Sequence, residues 1–293
     1  MSDEFNIIDI HAHVLPGLDD GPHTLDESLQ MCALYVRQGV TTVVATPHVG
    51  HSRFDVTSHA VRRSTEALAD ACRERMPQLE ILPGADVRLQ PMLLDMLDAG
   101  ELLTLGDTGR YLLLELPPQA VPRIENLVAD LAERGVTPII SHPERNPDLL
   151  RKPDRLAELV ECGYLVQVTA GSLLGSFGRA AKSAAEEFIE AGLVHVAAGD
   201  AHAASGRRCP ELRRAADYLV SSVGEDMARD LLNHNPARII RGEPLCTGAP
   251  CGPARKAPSP SSAPADKPLQ SGEGKGTAIP FFPRRSIGGR ALL

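Results

Sequence analysis

The stretch Ile7 to Gly21 reads "IIDIHAHVLPGLDDG". An apolar run ends in His11 and His13, and the acids Asp19 and Asp20 follow closely. Successive side chains on a strand point to opposite sides, so residues two apart share a face. A single imidazole at a strand end has an ordinary packing explanation. Two on one face, with carboxylates close behind, point to a bound positive charge and tell us which other residues to look for.

The same format recurs along the chain. Up to residue 245 there are seven short apolar runs, "FNIIDI", "TTVVAT", "LEILPGA", "YLLLEL", "TPIISH", "YLVQVT" and "VHVAAGD". Several are rich in Val and Ile, as buried parallel strands are. The segments between them have helical periodicity. Thr24 to Gln38 opens with a capping box, Thr24 and Glu27, and Gly39 can end it. Further helices are expected from Val61, from Pro122 through Leu131, from Pro153, over Ser183 to Ala191 and over Glu211 to Ser221. Strands alternating with helices in this way imply an α/β architecture. An open doubly wound sheet satisfies the alternation. A closed or distorted barrel fits better, because barrels collect chemistry from the C-terminal ends of many strands.

Those strand ends carry the polar residues. His48 follows the second run, Asp86 the third, and Glu115 lies in the fourth. His142 follows the fifth, and Asp200 and His202 follow the seventh. The sixth run, "YLVQVT", contributes no candidate. Glu115 among four leucines is the hardest to dismiss, since a lone buried carboxylate costs several kcal/mol unless paired or metal-bound. Imidazoles and carboxylates without thiolates suit Mn, Fe or Zn better than Ca or Mg. Five imidazoles, His11, His13, His48, His142 and His202, and at least four carboxylates among Asp19, Asp20, Asp86, Glu115 and Asp200 exceed the needs of one ion and imply two or three. Closely spaced metal ions catalyse in-line displacement at phosphorus. Arg145, just past His142 in "SHPER", and Arg207, in "DAHAASGRR", are placed to hold a phosphate bidentately.

Bulk properties narrow the function further. The 293 residues are 43% hydrophobic and carry a net charge of −8. The charge is uneven: residues 246–293 hold seven Lys or Arg and two Asp or Glu, a balance of +5, which leaves −13 for residues 1–245. An acidic body with 3% aromatics and no Trp is a poor nucleic-acid surface. No run approaches the roughly 20 apolar residues of a membrane span, and the acidic start is unlike a secretory signal, so a cytoplasmic protein is expected. Cys32, Cys72, Cys162 and Cys209 lie among apolar runs and are expected to be buried thiols. No cysteine is followed six positions later by arginine, the spacing a thiol-dependent tyrosine phosphatase requires. Residues 246–293 hold eight of the 24 prolines and are expected to be a disordered Pro/Gly/Ser-rich tail behind a 1–245 catalytic domain.

Asp9-Ile10-His11-Ala12-His13 resembles the opening D-x-H-x-H signature of the PHP superfamily (polymerase and histidinol phosphatase). More narrowly, "IDIHAHVLPGLDDGP", "RQGVTTVVATPH", "ISHPER" and "HVAAGDAH" look like the bacterial manganese-dependent tyrosine-protein phosphatases of the CpsB/YwqE type. The resemblance implies a distorted (β/α)7, TIM-like barrel (the PHP fold) with a trinuclear site. Carried over by motif, His11, His13, Asp86 and Asp200 would bind one ion and Asp86, Glu115 and His142 a second. Asp20, His48 and His202 would bind the third. Arg145, Arg207 and His202 would serve catalysis. The implied substrate is the phosphorylated tyrosine-rich tail of a bacterial tyrosine autokinase in capsule or exopolysaccharide synthesis. A small phosphate monoester such as histidinol phosphate, or a non-catalytic regulator that keeps its metals, is the alternative, and a homo-oligomer is left open. The chain departs from the family pattern at Asp86, where the family has Glu, so the expected bridge between two ions is one methylene shorter.

Overall fold

The computed structural model describes residues 6–118 and 120–245. The proline-rich tail expected over 246–293 lies outside the described residues. The described residues form nine strands with helices between most of them: β1 Ile7–Ala12, β2 Val40–Ala45, β3 His48–Val49, β4 Glu80–Pro83, β5 Asp86–Arg88, β6 Tyr111–Glu115, β7 Thr137–Ser141, β8 Leu165–Thr169 and β9 Val196–Ala198. Every pairing between them is parallel. One sheet has the order β1-β2-β4 and the other β3-β5-β6-β7-β8-β9. β2 runs on into β3 and β4 into β5 after breaks of two residues, so the nine strands occupy seven positions. A parallel bridge between Ala12 and Ala201 joins the last position to the first. The amide of His13 donates to the Ala201 carbonyl at 2.9 Å and that of Asp200 to the His11 carbonyl at 2.7 Å. The result is the expected distorted seven-position barrel, and its seven positions fall on the seven apolar runs.

One physical rule accounts for both the barrel's floor and its mouth. Ile8, Ile10, Val44, Leu113, Ile139, Leu165, Val196 and Ala198 form a single buried cluster with one or two members from most strands. That cluster fills the interior, and Ile239 from the last described helix, Asn235–Ile240, packs into it. With a period of two, the next inward position on each strand is polar: Glu115 follows Leu113, Ser141 follows Ile139, Gln167 follows Leu165 and Asp200 follows Ala198. β1 obeys the rule through an irregularity. Its register against β2 shifts between Asp9 and Ala12. A bulge there turns His11 and His13 to the side that Ile8 and Ile10 occupied lower down.

The buried Asp9 ties the barrel shut. Its Oδ1 accepts from the amides of His11 at 3.1 Å and Gly199 at 2.8 Å, and its Oδ2 from the Tyr35 hydroxyl at 2.9 Å. Burial raises its pKa despite these donors. A Cβ on Gly199 would lie 2.4 Å from Asp9 Oδ2, so only glycine allows β9 to approach β1 this closely.

The helices wrap the outside. The first, Leu25–Arg37, forms as expected, with Thr24 and Glu27 capping each other's backbone amides. The second runs Ser58–Arg75 from Thr57, three residues earlier than expected. Pro122 does not open a helix. The chain stays irregular until Leu127–Glu133, where Asn126 precedes the first turn. Cys32 and Cys72 are buried, whereas Cys162 is exposed and Cys209 partly so, because the latter two sit at a helix end and in a loop.

Candidate metal centre

All nine anticipated donors lie at the C-terminal mouth of the barrel. They fall into four overlapping groups whose ligand atoms lie within 4.8 Å of one another: His11, His13 and Asp200; His13, Asp20, His48 and His202; His11, Asp86 and His142; and His48, Asp86 and Glu115. In the first, His11 Nε2 and His13 Nε2 are 3.3 Å apart and each lies 3.5 Å from Asp200 Oδ1. Donors about 2.1 Å from one tetrahedral ion stand roughly 3.4 Å from each other, so this triangle has the dimensions of a coordination sphere. In the second, Asp20 Oδ1 lies 3.3 Å from His202 Nε2 and 3.6 Å from His48 Nε2. Asp86 belongs to both remaining groups. Its Oδ2 lies 3.1 Å from His48 Nδ1 and 3.9 Å from His11 Nε2.

The grouping differs from the expectation in two respects. Glu115 and His142 were expected together around Asp86, but Glu115 groups with His48 and His142 groups with His11. His48 also turns both ring nitrogens to carboxylates, Nδ1 toward Asp86 and Nε2 toward Asp20. The residues fit metal ions on the structure's own terms. Asp86 Oδ2 and His48 Nδ1 are buried and face each other at 3.1 Å without a well-formed hydrogen bond, an arrangement that a shared cation would complete. The donors are imidazole and carboxylate throughout, and no thiol lies among them.

Electrostatics prepare several donors. Burial, reinforced by the Arg145 guanidinium, lowers His142 to about 3, and burial beside His13 lowers His202 to about 4, so both are neutral at neutral pH, as a metal ion would require of them. His202 Nδ1 lies 3.0 Å from the Asp200 carbonyl, which fixes its proton there and leaves Nε2 bare. Asp86 and Asp200 are buried, yet the imidazoles around them hold both well below the usual carboxylate range. His13 behaves differently. Burial pulls its pKa down, but Asp19, with Oδ2 2.6 Å from Nδ1, raises it to about 10. Backbone strain also concentrates here. His142 and Asp200 hold φ of 35° and 50°, a left-handed conformation that non-glycine residues adopt rarely and mostly at functional sites.

Arg145 reaches the mouth, paired with Asp200 Oδ2, and its guanidinium lies 4.2 Å over the Phe177 ring. Arg207 is exposed and takes no part in these pairs. The next residue does: Arg208 donates to Asp20 Oδ2 at 2.9 Å and also to His202 Nε2. The turn Gly206–Arg208 places one arginine outward and the other inward, a choice the repeated residue hides in the sequence. Sequence reasoning also missed Arg88, which donates to Glu115 Oε2 at 2.9 Å, and Ser141, whose hydroxyl lies 3.2 Å from Asp86 Oδ1. The one available signal was the alternation within each strand. A cavity of about 130 Å³ opens beside Glu115, His142 and Arg145, with Leu116, Pro118 and Pro143 among its walls.

Comparison with known proteins gives a consistent result. The family described as "Capsular polysaccharide synthesis, CpsB/CapC" matches residues 7–241. Tyrosine-protein phosphatase YwqE of Bacillus subtilis (strain 168) is 35% identical over 240 residues, which cover 82% of this chain and 93% of that protein. Tyrosine-protein phosphatase CpsB of Streptococcus pneumoniae is 31% identical over 240 residues, covering 80% and 98%. Among solved structures, one from the study of YwqE and CpsB as unique metal-dependent tyrosine phosphatases aligns with a TM-score of 0.77. It is 35% identical and covers 82% of this chain and 96% of its own.

Proposed function

The chain belongs to the CpsB/CapC family of capsular polysaccharide synthesis, and on that premise we propose that it is a metal-dependent protein-tyrosine phosphatase. The observation that carries this reading is the convergence of nine imidazole and carboxylate donors from six of seven strand positions, with Arg145 at their edge. His11, His13 and Asp200 would hold one ion and Asp20, His48 and His202 a second, while Asp86, shared between the His11–His142 and His48–Glu115 groups, would help to hold a third. Manganese suits this donor set, as do iron and zinc. Such ions, when bound, activate water and neutralise charge on phosphoryl oxygens.

The chain's own groups do the rest. Arg145, steadied against Phe177, presents a guanidinium to phosphate oxygens, and Arg208 or Arg207 does so from the opposite loop. His202 serves as a ligand rather than a proton donor, because its one proton is engaged by the Asp200 carbonyl. The cavity beside Arg145 has the scale of a single aromatic ring, judged against the roughly 150 Å³ engineered cavity that admits benzene. That favours an aryl phosphate. The substrate we assign is phosphotyrosine on the tail of a bacterial tyrosine autokinase, met in the cytoplasm. Among the described residues no helix is long and apolar enough to cross a membrane. Residues 1–245 are the proposed catalytic domain and 246–293 an appended tail.

Rates on a phosphotyrosine peptide, a phosphoserine peptide and histidinol phosphate, with Mn²⁺ and after chelation, test the reading. Turnover should be Mn²⁺-dependent, fastest on phosphotyrosine and indifferent to thiol alkylation. Preference for histidinol phosphate would move the assignment to a small-metabolite phosphatase. No turnover of any of the three would favour a non-catalytic regulator.

A further inference from the structure

Six strand positions end in a side chain of the ion-binding cluster, and β8 does not. It carries Gln167 instead, which is fully buried and inward-facing, two residues above Leu165. Its Oε1 lies 2.9 Å from His11 Nδ1, and its Nε2 donates to the Val168 carbonyl at 2.8 Å. The amide cannot be turned over without setting one oxygen against another, because only an N–H satisfies the Val168 carbonyl. Oε1 is therefore an acceptor, and His11 must carry its proton on Nδ1. That leaves a lone pair on Nε2, the atom that faces His13, Asp200 and Asp86.

We propose that Gln167 is a positioning residue that fixes His11 in the Nδ1–H tautomer, so that Nε2 is presented to a metal ion. The inference rests on the metal-centre reading above. Metal-bound histidines ordinarily have such a partner behind them, and losing it typically costs 10–100-fold in metal affinity. The two histidines of the His-x-His pair are backed differently. His13 has the carboxylate of Asp19, whereas His11 has a neutral amide. The amide orients the ring without adding another negative charge beside the buried Asp86 and Asp200.

Two measurements on the full chain test this. Long-range ¹H–¹⁵N correlation spectra of chelated wild-type protein should show His11 protonated at Nδ1; protonation at Nε2 overturns the proposal without any variant. Mn²⁺ titration should then show Gln167→Met binding 10–100-fold more weakly than wild type, with its Mn²⁺ activation curve shifted by the same factor. The spectra of chelated Gln167→Met, which lacks the acceptor oxygen, should lose the Nδ1–H preference of His11. Wild-type affinity in Gln167→Met overturns the proposal. Failure of wild type to bind Mn²⁺ would sink the metal-centre reading itself, and the tautomer measurement would still decide Gln167.

Discussion

Replacing Asp19 by Asn should change how many protons the protein releases when it takes up metal. In the wild type, Asp19 sits 2.6 Å from His13 Nδ1 and holds that imidazole at about 10. At neutral pH His13 therefore carries a proton on each nitrogen, and a metal ion must displace the one on Nε2. One displaced proton makes apparent affinity rise tenfold per pH unit, or about 30-fold between pH 7.0 and 8.5. In Asp19→Asn the larger charge that sustains the imidazolium is gone, only Asp200, 3.5 Å from Nε2, still favours it against burial, and His13 falls toward neutrality. His142 and His202, held at about 3 and 4, release nothing in either protein over this range. Calorimetric Mn²⁺ titrations at pH 8, in buffers of different ionisation enthalpy, should count about one proton more for wild type than for Asp19→Asn. Equal counts would refute the argument. The same pairing links to folding in chelated protein. His13 is raised above its unfolded value of 6.5, so its stabilisation is fully present below that pH and lost as pH rises toward 10. Asp19, lowered to about 2, contributes stability above pH 3.8 that is lost as pH falls through 2.

Three further outcomes follow from the geometry. Gly199→Ala, whose added Cβ would meet Asp9 Oδ2 at 2.4 Å, should lower the unfolding free energy by about 1–3 kcal/mol in urea denaturation. An unchanged midpoint would show that the strands part without cost. Arg145→Lys keeps the charge but loses the planar fork and its stacking on Phe177, and should reduce kcat/KM on phosphotyrosine peptide by roughly 10–100-fold. Ending the chain after Leu245 should leave rates on small aryl phosphates unchanged, and a large fall would assign the tail to the catalytic domain.

Much of the architecture was legible because hydrophobic burial writes itself locally. Seven apolar runs at regular spacing can only be buried strands, and a capping box such as Thr24 with Glu27 satisfies amides of its own helix turn. Pro122 shows the limit of local rules: it permits a helix start, but no packing partner draws the chain into one before Leu127. The donors were legible for a different reason. Ionisable residues at strand ends are expensive to bury, so nine of them together require a common purpose.

What tertiary structure alone decided was who faces whom. The family resemblance implied that Glu115 and His142 share an ion, whereas the barrel sets Glu115 beside His48 and His142 beside His11. Of the two adjacent arginines the sequence reading chose Arg207, but the turn points Arg208 inward. Gln167 read as part of a buried strand until β8 was laid beside β7 and its amide met His11 across 156 residues. Patterns along a chain report what each residue costs to bury. Distances between residues far apart in the chain depend on strand register and barrel closure, which no local pattern encodes.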